Sequence, residues 1–331
     1  MLQQGLGTVI STSNTLITIV GGSGFLGRHI VQVLARRGYR IRAAVRRPDL
    51  AGHLQPLGMV GQIKTVQGNV RYPASIAAAC QGAQTVINLA GILYETGRQT
   101  FEGVHVFGAE AVANAAREAG ATQLIHVSAL GADPNSDSAY ARSKAEGEQR
   151  VLAAFPGATI LRPAVVFGPE DDFFNRFASM ARIMPALPLI GGGHTRMQPI
   201  YVGDIGQAVG ELADRKIGAG TTYELGGPEI LTLREIFELV LKTIHRRRLL
   251  VPVPFSAARL PASLLQLLPK PLLTTDQLTL LQRDNVVSPE AEAERRTLAG
   301  LGVAPQGVEA IVPQYLERFR PTGSYDRAPK A

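Results

Sequence analysis

The sequence predicts an α/β protein built on a doubly wound parallel sheet, with a smaller C-terminal α/β lobe, and three observations carry that expectation. An apolar β-type run, Leu16 to Val20, breaks at a glycine cluster. It passes at once into a helical pattern with Phe25, Leu26, Ile30, Val31 and Leu34 along one face. Short apolar runs then alternate with helical stretches as far as Pro163, the pitch of strands joined by crossover helices. A chain of 331 residues, 45% of them hydrophobic, suffices for one large core or a core with a second lobe. The expected division is a Rossmann-type, NAD(P)-binding core over residues 15–168 and a smaller lobe over 169–320 that shares strands and helices with it, with flexible ends at 1–14 and 321–331.

The glycines come first because the rest of the chain is arranged around them. Gly21, Gly24 and Gly27 recur at every third position, which lets the backbone turn sharply, approach a pyrophosphate and pack the helix closely on the strand. The helix that begins at Phe25 and Leu26 offers unpaired N–H groups and the positive end of its dipole to phosphate oxygens. A glycine-rich turn without a ligand is the alternative. The second strand, Arg40 to Val45, ends in Arg46-Arg47-Pro48. NAD is usually recognised by a carboxylate about 20 residues beyond the glycines, which accepts from the ribose hydroxyls. Val45 occupies that place, and Arg46 and Arg47 suit a 2′-phosphate through forked, charge-assisted hydrogen bonds. NADP(H) is therefore expected in preference to NAD(H), against the alternative that both arginines lie in a solvated loop.

A third strand, Ile63 to Val66, leads to Asn69 and Val70, which are placed to meet an adenine edge. The fourth, running from Val86 to a break at Gly91, leaves Leu89, Ala90 and Gly91 to line a cofactor with backbone. A helix from Val104 to Glu118 and a fifth strand, Gln123 to Val127, bring Ser128 to the same edge of the sheet, where ligands of parallel sheets lie. Tyr140 and Lys144 follow at i, i+4 on a helix and so share one face. An ammonium there is expected to favour phenolate and bring Tyr140 toward acid/base range. Lys144 also suits the nicotinamide ribose, and Ser128 a substrate oxygen. Taken singly, Tyr140 reads as a helix-surface residue and Lys144 as a solvated charge.

Composition narrows the partners. A net charge of +7 admits acidic protein surfaces, anionic membrane or plain solubility. No interleaving of aromatic and basic residues builds a stacking platform, so nucleic acid is not expected. Cys80 is the single cysteine, which excludes an internal disulfide and disfavours a thiolate metal site; no metal is expected. No apolar run approaches the roughly 20 residues of a spanning helix. Residues 1–14 contain neither a charged start, an apolar centre nor an arginine, so a cytoplasmic location is expected.

The segments GGSGFLG, NLAG, HVSAL, LRPAVVFGP and the Tyr140–Lys144 spacing resemble the short-chain dehydrogenase/reductase superfamily, in its extended and atypical branch, over about residues 15–245. A narrower likeness, carried by YETGRQTFEGVHV, FGPEDDFFNRFASM, QPIYVGDIGQAV and LTTDQLTLLQRDNVVS, extends to about residue 320. There the chain resembles the nucleotide-binding accessory subunits of respiratory complex I (NADH:ubiquinone oxidoreductase) and their bacterial relatives. The resemblance implies Gly21, Gly24 and Gly27 at the pyrophosphate, Arg46 and Arg47 at the adenosine phosphate, and Asn69 and Val70 at the adenine. It implies Ala90 and Gly91 along the cofactor, Pro163 to Val166 at the nicotinamide amide, and Ser128, Tyr140 and Lys144 as a catalytic trio. Two positions depart from the superfamily: Asn69 stands where Asp is more common, and His105 where a proton-relay Asn is common. The implied protein is an accessory subunit whose NADP(H) is mainly structural. Its partners would be other complex I subunits at the membrane-facing part of the peripheral arm, on the inner face of a bacterial inner membrane. The intact trio keeps open a free reductase or epimerase acting on a small carbonyl or hydroxyl compound.

Beyond Pro169 the pattern loosens. Phe173, Phe174, Phe177 and Met180 have helical spacing and suit either core or a substrate wall, and Pro188 to Gly193 reads as a loop over the site. Thr232 and Glu235 form a capping box for a helix through Leu241. The basic run His245 to Arg248 beside Leu249–Pro254 suits anionic lipid or a solvated strand end. Residues 255–281 are leucine-rich and broken by Pro261, Pro269 and Pro271, which suits a partner, a membrane contact or core burial. Ser288-Pro289 opens a short helix and Val308 to Phe319 a last one.

Overall fold

The alternation of aliphatic runs and helical patterns is realised as a parallel sheet covered on both faces. In the structure, a computed structural model that describes residues 14–266, 268 and 271–323, the first half of the chain alternates regularly. Its elements are β1 (Leu16–Val20), α1 (Phe25–Arg36), β2 (Arg40–Val45), β3 (Ile63–Gln67), α2 (Pro73–Cys80), β4 (Thr85–Asn88), α3 (Phe107–Glu118), β5 (Gln123–Val127), α4 (Ala139–Ala154) and β6 (Thr159–Pro163). The second half adds β7 (Val166–Phe167), α5 (Phe174–Ile183), β8 (Ala186–Ile190), β9 (Arg196–Met197), β10 (Ile200–Tyr201), α6 (Val202–Arg215) and β11 (Thr222–Leu225). It continues with β12 (Leu231–Thr232), α7 (Leu233–Thr243), β13 (Leu249–Val253), α8 (Phe255–Leu265), α9 (Thr275–Leu280), α10 (Pro289–Ala293) and α11 (Val308–Leu316). Pro269 and most of the two ends expected to be flexible lie outside the described residues.

The main sheet has the order β11-β6-β5-β4-β1-β2-β3, with every neighbour parallel. Strand order reverses between β1 and β4, so the loops after those strands diverge and leave a crevice beyond their C-terminal ends. Ile30, Val31 and Leu34 of α1 pack with Ile205, Val209 and Leu212 of α6 against one face, all fully buried. Ile76 of α2, Val112 of α3 and Val151 of α4 cover the other. Thr18, a polar residue inside β1, is satisfied by donating its hydroxyl to the Ala79 carbonyl at 2.9 Å.

Three expectations are refined. The fourth strand leaves the ladder at Asn88, although the Leu89 N–H still reaches the Val20 carbonyl at 2.9 Å. The helix expected from Val104 begins as a turn of π-helix, Glu102–Val106, before α3 takes over at Phe107. Pro188 to Ile190 is strand rather than loop: β8 pairs in parallel with β13, and alternate residues Leu187 and Leu189 are fully buried. Only Gly191–Gly193 turns, with Gly192 at φ 72°.

The phenylalanine stripe is core. Phe174 is fully buried, and the Phe177 ring lies 4.2 Å from that of Phe237 on α7. Thr232 and Glu235 form the capping box. The leucine-rich stretch divides its side chains: Ala258, Ala262 and Leu278 are buried with Ile190 and Val253 against them. Leu260, Leu264, Leu268 and Leu272 remain 49–71% exposed.

α4 approaches the π-turn closely, and glycine is the reason it can. A Cβ added at Gly147 would lie 2.1 Å from the His105 carbonyl oxygen. Gly147→Ala should therefore lower the unfolding free energy by about 1–3 kcal/mol, the usual cost of overpacking. An unchanged urea midpoint would show that α4 and the π-turn do not meet in this way.

Candidate nucleotide-binding site

The three glycines do different work. Gly21 adopts φ 84°, a left-handed conformation that side chains resist, and its N–H reaches across to the Ala44 carbonyl at 2.9 Å. A Cβ on Gly27 would lie 2.5 Å from the Gly22 carbonyl carbon and oxygen, so this glycine sets how near α1 approaches the turn. Gly24 has only the Gly21 oxygen within 4 Å of such a Cβ, at 3.4 Å. It occupies the N-cap of α1, contributes no side-chain acceptor, and is followed by a first turn without acidic residues. The first N–H groups of α1 are thus left for an anion. Phe25 leans toward Gly168, where a Cβ would lie 3.4 Å from its ring, and Leu26 is partly buried against the core. Arg28 and His29 both reach Glu170, at 3.1 and 3.4 Å, tying α1 to the loop after β7.

At the other end of the crevice the two arginines separate. Arg47 is engaged with Asp49 through two hydrogen bonds of 3.0 and 2.7 Å, whereas Arg46 donates to the Gln99 carboxamide oxygen. Asn69 accepts the Arg71 N–H at 3.1 Å, and Val70 is buried beneath Gly108 of α3. An adenine edge would meet this turn mainly through backbone and the Asn69 amide.

Between these ends the expected trio gathers around a buried polar cluster. Leu89-Ala90-Gly91 passes the tip of Lys144: a Cβ on Gly91 would lie 3.5 Å from Nζ and 3.7 Å from His105 Nε2. Lys144 Nζ donates to the carbonyl of Val127, the residue between His126 and Ser128, at 3.3 Å. His105 Nε2 accepts the Ile92 N–H at 3.0 Å, which leaves Nδ1–H to donate to Ser143 Oγ at 2.9 Å. Asn88 faces His126 across the β4–β5 register and donates to its Nδ1 at 3.0 Å. His126 Nε2 and Ser128 Oγ are buried with no hydrogen-bond partner. Two orphaned polar atoms on the residues either side of the one whose carbonyl the ammonium bonds are what a site built for a polar ligand leaves behind. Pro163 is buried and Val166 half-buried at the nearby strand ends. The residues present fit a dinucleotide.

Burial sets the charges here. It lowers the Lys144 ammonium to a pKa of about 8, against the pull of the Glu148 carboxylate. It holds His105 neutral at about 2 and His126 at about 3, helped in both cases by the charge of Lys144. Tyr140 corrects the sequence-based expectation: its phenol is pushed up to about 12, by burial first and then by the Asp276 carboxylate. The ammonium lies 6.0 Å from the Tyr140 ring centroid and bonds a carbonyl, so it does not offset the burial and the carboxylate.

Asp276 comes from α9 and caps α4, the helix that carries Tyr140 and Lys144. Ala139 N–H donates to its Oδ1 at 2.7 Å, and Ser138 Oγ and Tyr140 N–H donate to its Oδ2 at 2.8 and 3.3 Å. Sequence reasoning missed Asp276, His126 and Asn88. The HVSAL and NLAG strings contained the last two, and only strand register brings them face to face. No group of three or more His, Cys, Asp or Glu side chains suited to a metal occurs among the described residues.

The sequence profile described as NAD dependent epimerase/dehydratase family matches residues 17–226. The chain is 36% identical, over 335 aligned residues, to the mitochondrial NADH dehydrogenase [ubiquinone] 1 alpha subcomplex subunit 9 of Arabidopsis thaliana, covering 98% of this chain and 82% of that protein. It is 37% identical over 189 residues to a ceramide reductase of Caulobacter vibrioides, covering 57% of this chain and 58% of that one. The structure of a dTDP-glucose 4,6-dehydratase from Streptomyces venezuelae with NAD and TYD bound superposes with a TM-score of 0.71 at 20% identity, over 92% of this chain and 96% of that one. That superposition identifies the fold.

Two outcomes test the site. Gly24→Val should leave the unliganded melting temperature nearly unchanged, because nothing in the protein crowds that position, and should abolish the upward shift caused by added nucleotide. A normal ligand-induced shift in the variant would displace the phosphates from this turn. The second concerns pH. Lys144 is charged in both states below its folded value of about 8, and its burial penalty is then fully present. Between there and the unfolded value of 10.5 the unfolded chain binds more protons, so stability rises with pH. Tyr140 opposes this only above 10.0, where the folded chain keeps a proton the unfolded chain loses. The stability of wild type relative to Lys144→Met should therefore climb between about pH 8 and pH 10. A difference independent of pH would contradict the buried ammonium.

Proposed function

Because the chain belongs to the NAD dependent epimerase/dehydratase family, we propose that it is a nucleotide-binding accessory subunit of respiratory complex I, holding NADP(H) mainly as a structural element. The observation that carries this reading is extent. The likeness to the Arabidopsis subunit runs through 98% of the chain, smaller lobe included, whereas the likeness to the Caulobacter reductase covers 57%. The site supports it too: the phosphate turn is complete, while the Tyr140 phenol is held protonated and Lys144 is turned onto a backbone carbonyl.

In this reading Gly21, Gly24, Phe25, Leu26 and Gly27 hold the pyrophosphate with backbone, and Arg46 meets the 2′-phosphate, which favours NADP(H) over NAD(H). Asn69 and Val70 border the adenine, and Leu89 to Gly91 line the ribose side. Lys144 holds the nicotinamide ribose, and Pro163 and Val166 border the amide. Bound, the nucleotide would supply hydride chemistry. Ser128 and Tyr140 are the groups placed to orient a substrate oxygen and hold a proton there. The proposed boundary between core and smaller lobe is residue 168. Other complex I subunits are the proposed partners. Exposed Leu260, Leu264, Leu268 and Leu272, with Arg259 and Arg247 nearby in the chain, support contact with an anionic membrane surface on the inner face of a bacterial inner membrane. No helix among the described residues is long and apolar enough to cross a membrane.

The unpartnered Ser128 hydroxyl and the likeness to the Caulobacter protein favour a second reading, a free reductase of a carbonyl substrate.

Affinity purification from detergent-solubilised membranes separates the two: co-recovery with complex I subunits supports the first, and recovery alone from the soluble fraction the second. On the accessory reading Tyr140→Phe leaves nucleotide affinity and assembly nearly intact. Lys144→Ala should weaken binding by about 1.5–3 kcal/mol, the worth of hydrogen bonds to a charged group. NADPH oxidation by wild type that disappears in Tyr140→Phe would overturn the accessory reading.

A further inference from the structure

The chain that leaves β4 folds back to the ends of β2 and β3. Thr96 and Gln99 exchange two backbone hydrogen bonds of 3.0 Å each, closing a two-residue hairpin turn over Gly97, whose φ is 55°. Three contacts anchor it. Glu95 accepts the Phe101 N–H at 2.7 Å on the side that returns to α3. Arg71, just past β3, donates Nη1 to the Arg98 carbonyl at 2.9 Å. Gln99 accepts a hydrogen bond from Arg46, just past β2. The hairpin therefore bridges from the β4 side of the crevice to the β2 and β3 side, and rests on two arginines.

The chemistry of the Arg46 partner matters. Among the described residues no carboxylate pairs with Arg46 or Arg71, whereas the adjacent Arg47 is neutralised by Asp49 at 2.7 Å. A carboxamide oxygen orients a guanidinium without cancelling its charge, so one N–H is fixed while the remaining donors stay available to an anion. Preorganised donors lose less freedom on binding.

We propose that the Thr96–Gln99 hairpin is the specificity element of the nucleotide site, in which Gln99 presets the Arg46 guanidinium for a 2′-phosphate and Arg71 holds the hairpin in place. The assignment rests on Arg46 as the residue that meets that phosphate. Gln99 acts through Arg46 and is a positioning residue. Its replacement discriminates between nucleotides rather than weakening both.

The test is equilibrium titration of the full chain with NADPH and with NADH, followed by nicotinamide fluorescence, for wild type, Arg46→Ala, Gln99→Ala and Gln99→Glu. Amide hydrogen exchange over residues 94–100 is measured in wild type and Arg71→Ala. Wild type is expected to favour NADPH, and Gln99→Ala to reduce that preference by about tenfold, the lower end of one hydrogen bond to a charged group, with NADH affinity unchanged. Gln99→Glu pairs the guanidinium and repels the phosphate, and should abolish the preference. Arg71→Ala should raise exchange across the hairpin. Unliganded melting temperatures of the variants should match wild type, since these side chains lie at the surface. Equal affinity of wild type for both nucleotides would remove the reading of Arg46. A preference lost in Arg46→Ala but unmoved by both Gln99 variants would overturn the hairpin inference and leave Arg46 in place.

Discussion

The close approach of α1 to the turn after β1 is the constraint on which the rest of the site depends. Gly27 has no room for a side chain against the Gly22 peptide, so α1 is drawn down onto the sheet with its N-terminus beside the crevice. α6 then packs beside it on the same face of the sheet through Ile205, Val209 and Leu212. Gly21 places its N–H on the Ala44 carbonyl and so ties the turn to β2, at whose end Arg46 stands. One backbone approach thereby fixes the phosphate turn, the adenosine end and one covering layer.

A second theme is the control of charge in a buried place. Lys144 enters the interior among groups that stay neutral: two histidines held far below their usual range and a phenol held above its own. Glu148, the carboxylate on the same helix, is occupied by Arg162 in a forked pair of 2.9 and 2.6 Å. The ammonium therefore keeps its charge at neutral pH with no carboxylate bonded directly to it. Such a group attracts polar ligand oxygens and does little to ionise Tyr140, because burial and then the Asp276 carboxylate pull the other way. The geometry suits holding a nucleotide better than passing protons.

The C-terminal segments are tied to the site by polar contacts distant in sequence. Asp276 caps α4, Asn285 accepts the Val165 N–H at 2.8 Å, and Arg283 pairs with Asp133 at 2.9 Å. Asp171, buried in the loop before α5, accepts from the Tyr315 hydroxyl of α11 at 2.7 Å, and burial raises its carboxyl above the usual range. The segment that exposes four leucines is thus continuous with the one that caps the nucleotide-site helix.

The local elements were legible from residue pattern. β1, α1, β2 and β5 fall on the expected residues, because glycine, aliphatic runs and helical spacing act over a few positions. The capping box at Thr232 and the helix start at Ser288 were legible for the same reason. So was the grouping of the glycines, Gly91 and Ser128 at one edge, since parallel strands send all their C-terminal ends to one side. The departures among the polar groups of the site are non-local. Arg46 and Arg47 are alike in sequence, yet one meets Gln99 from a distant hairpin and the other its own neighbour Asp49. Tyr140 and Lys144 keep their helical spacing, but the state of the phenol follows from its burial and then from Asp276, which lies 136 residues away. Pattern in sequence carries the backbone path, because dihedral preference and burial period are local quantities. The charge state and partner of each polar side chain depend on which distant group arrives within a few ångströms, and only the packed chain decides that.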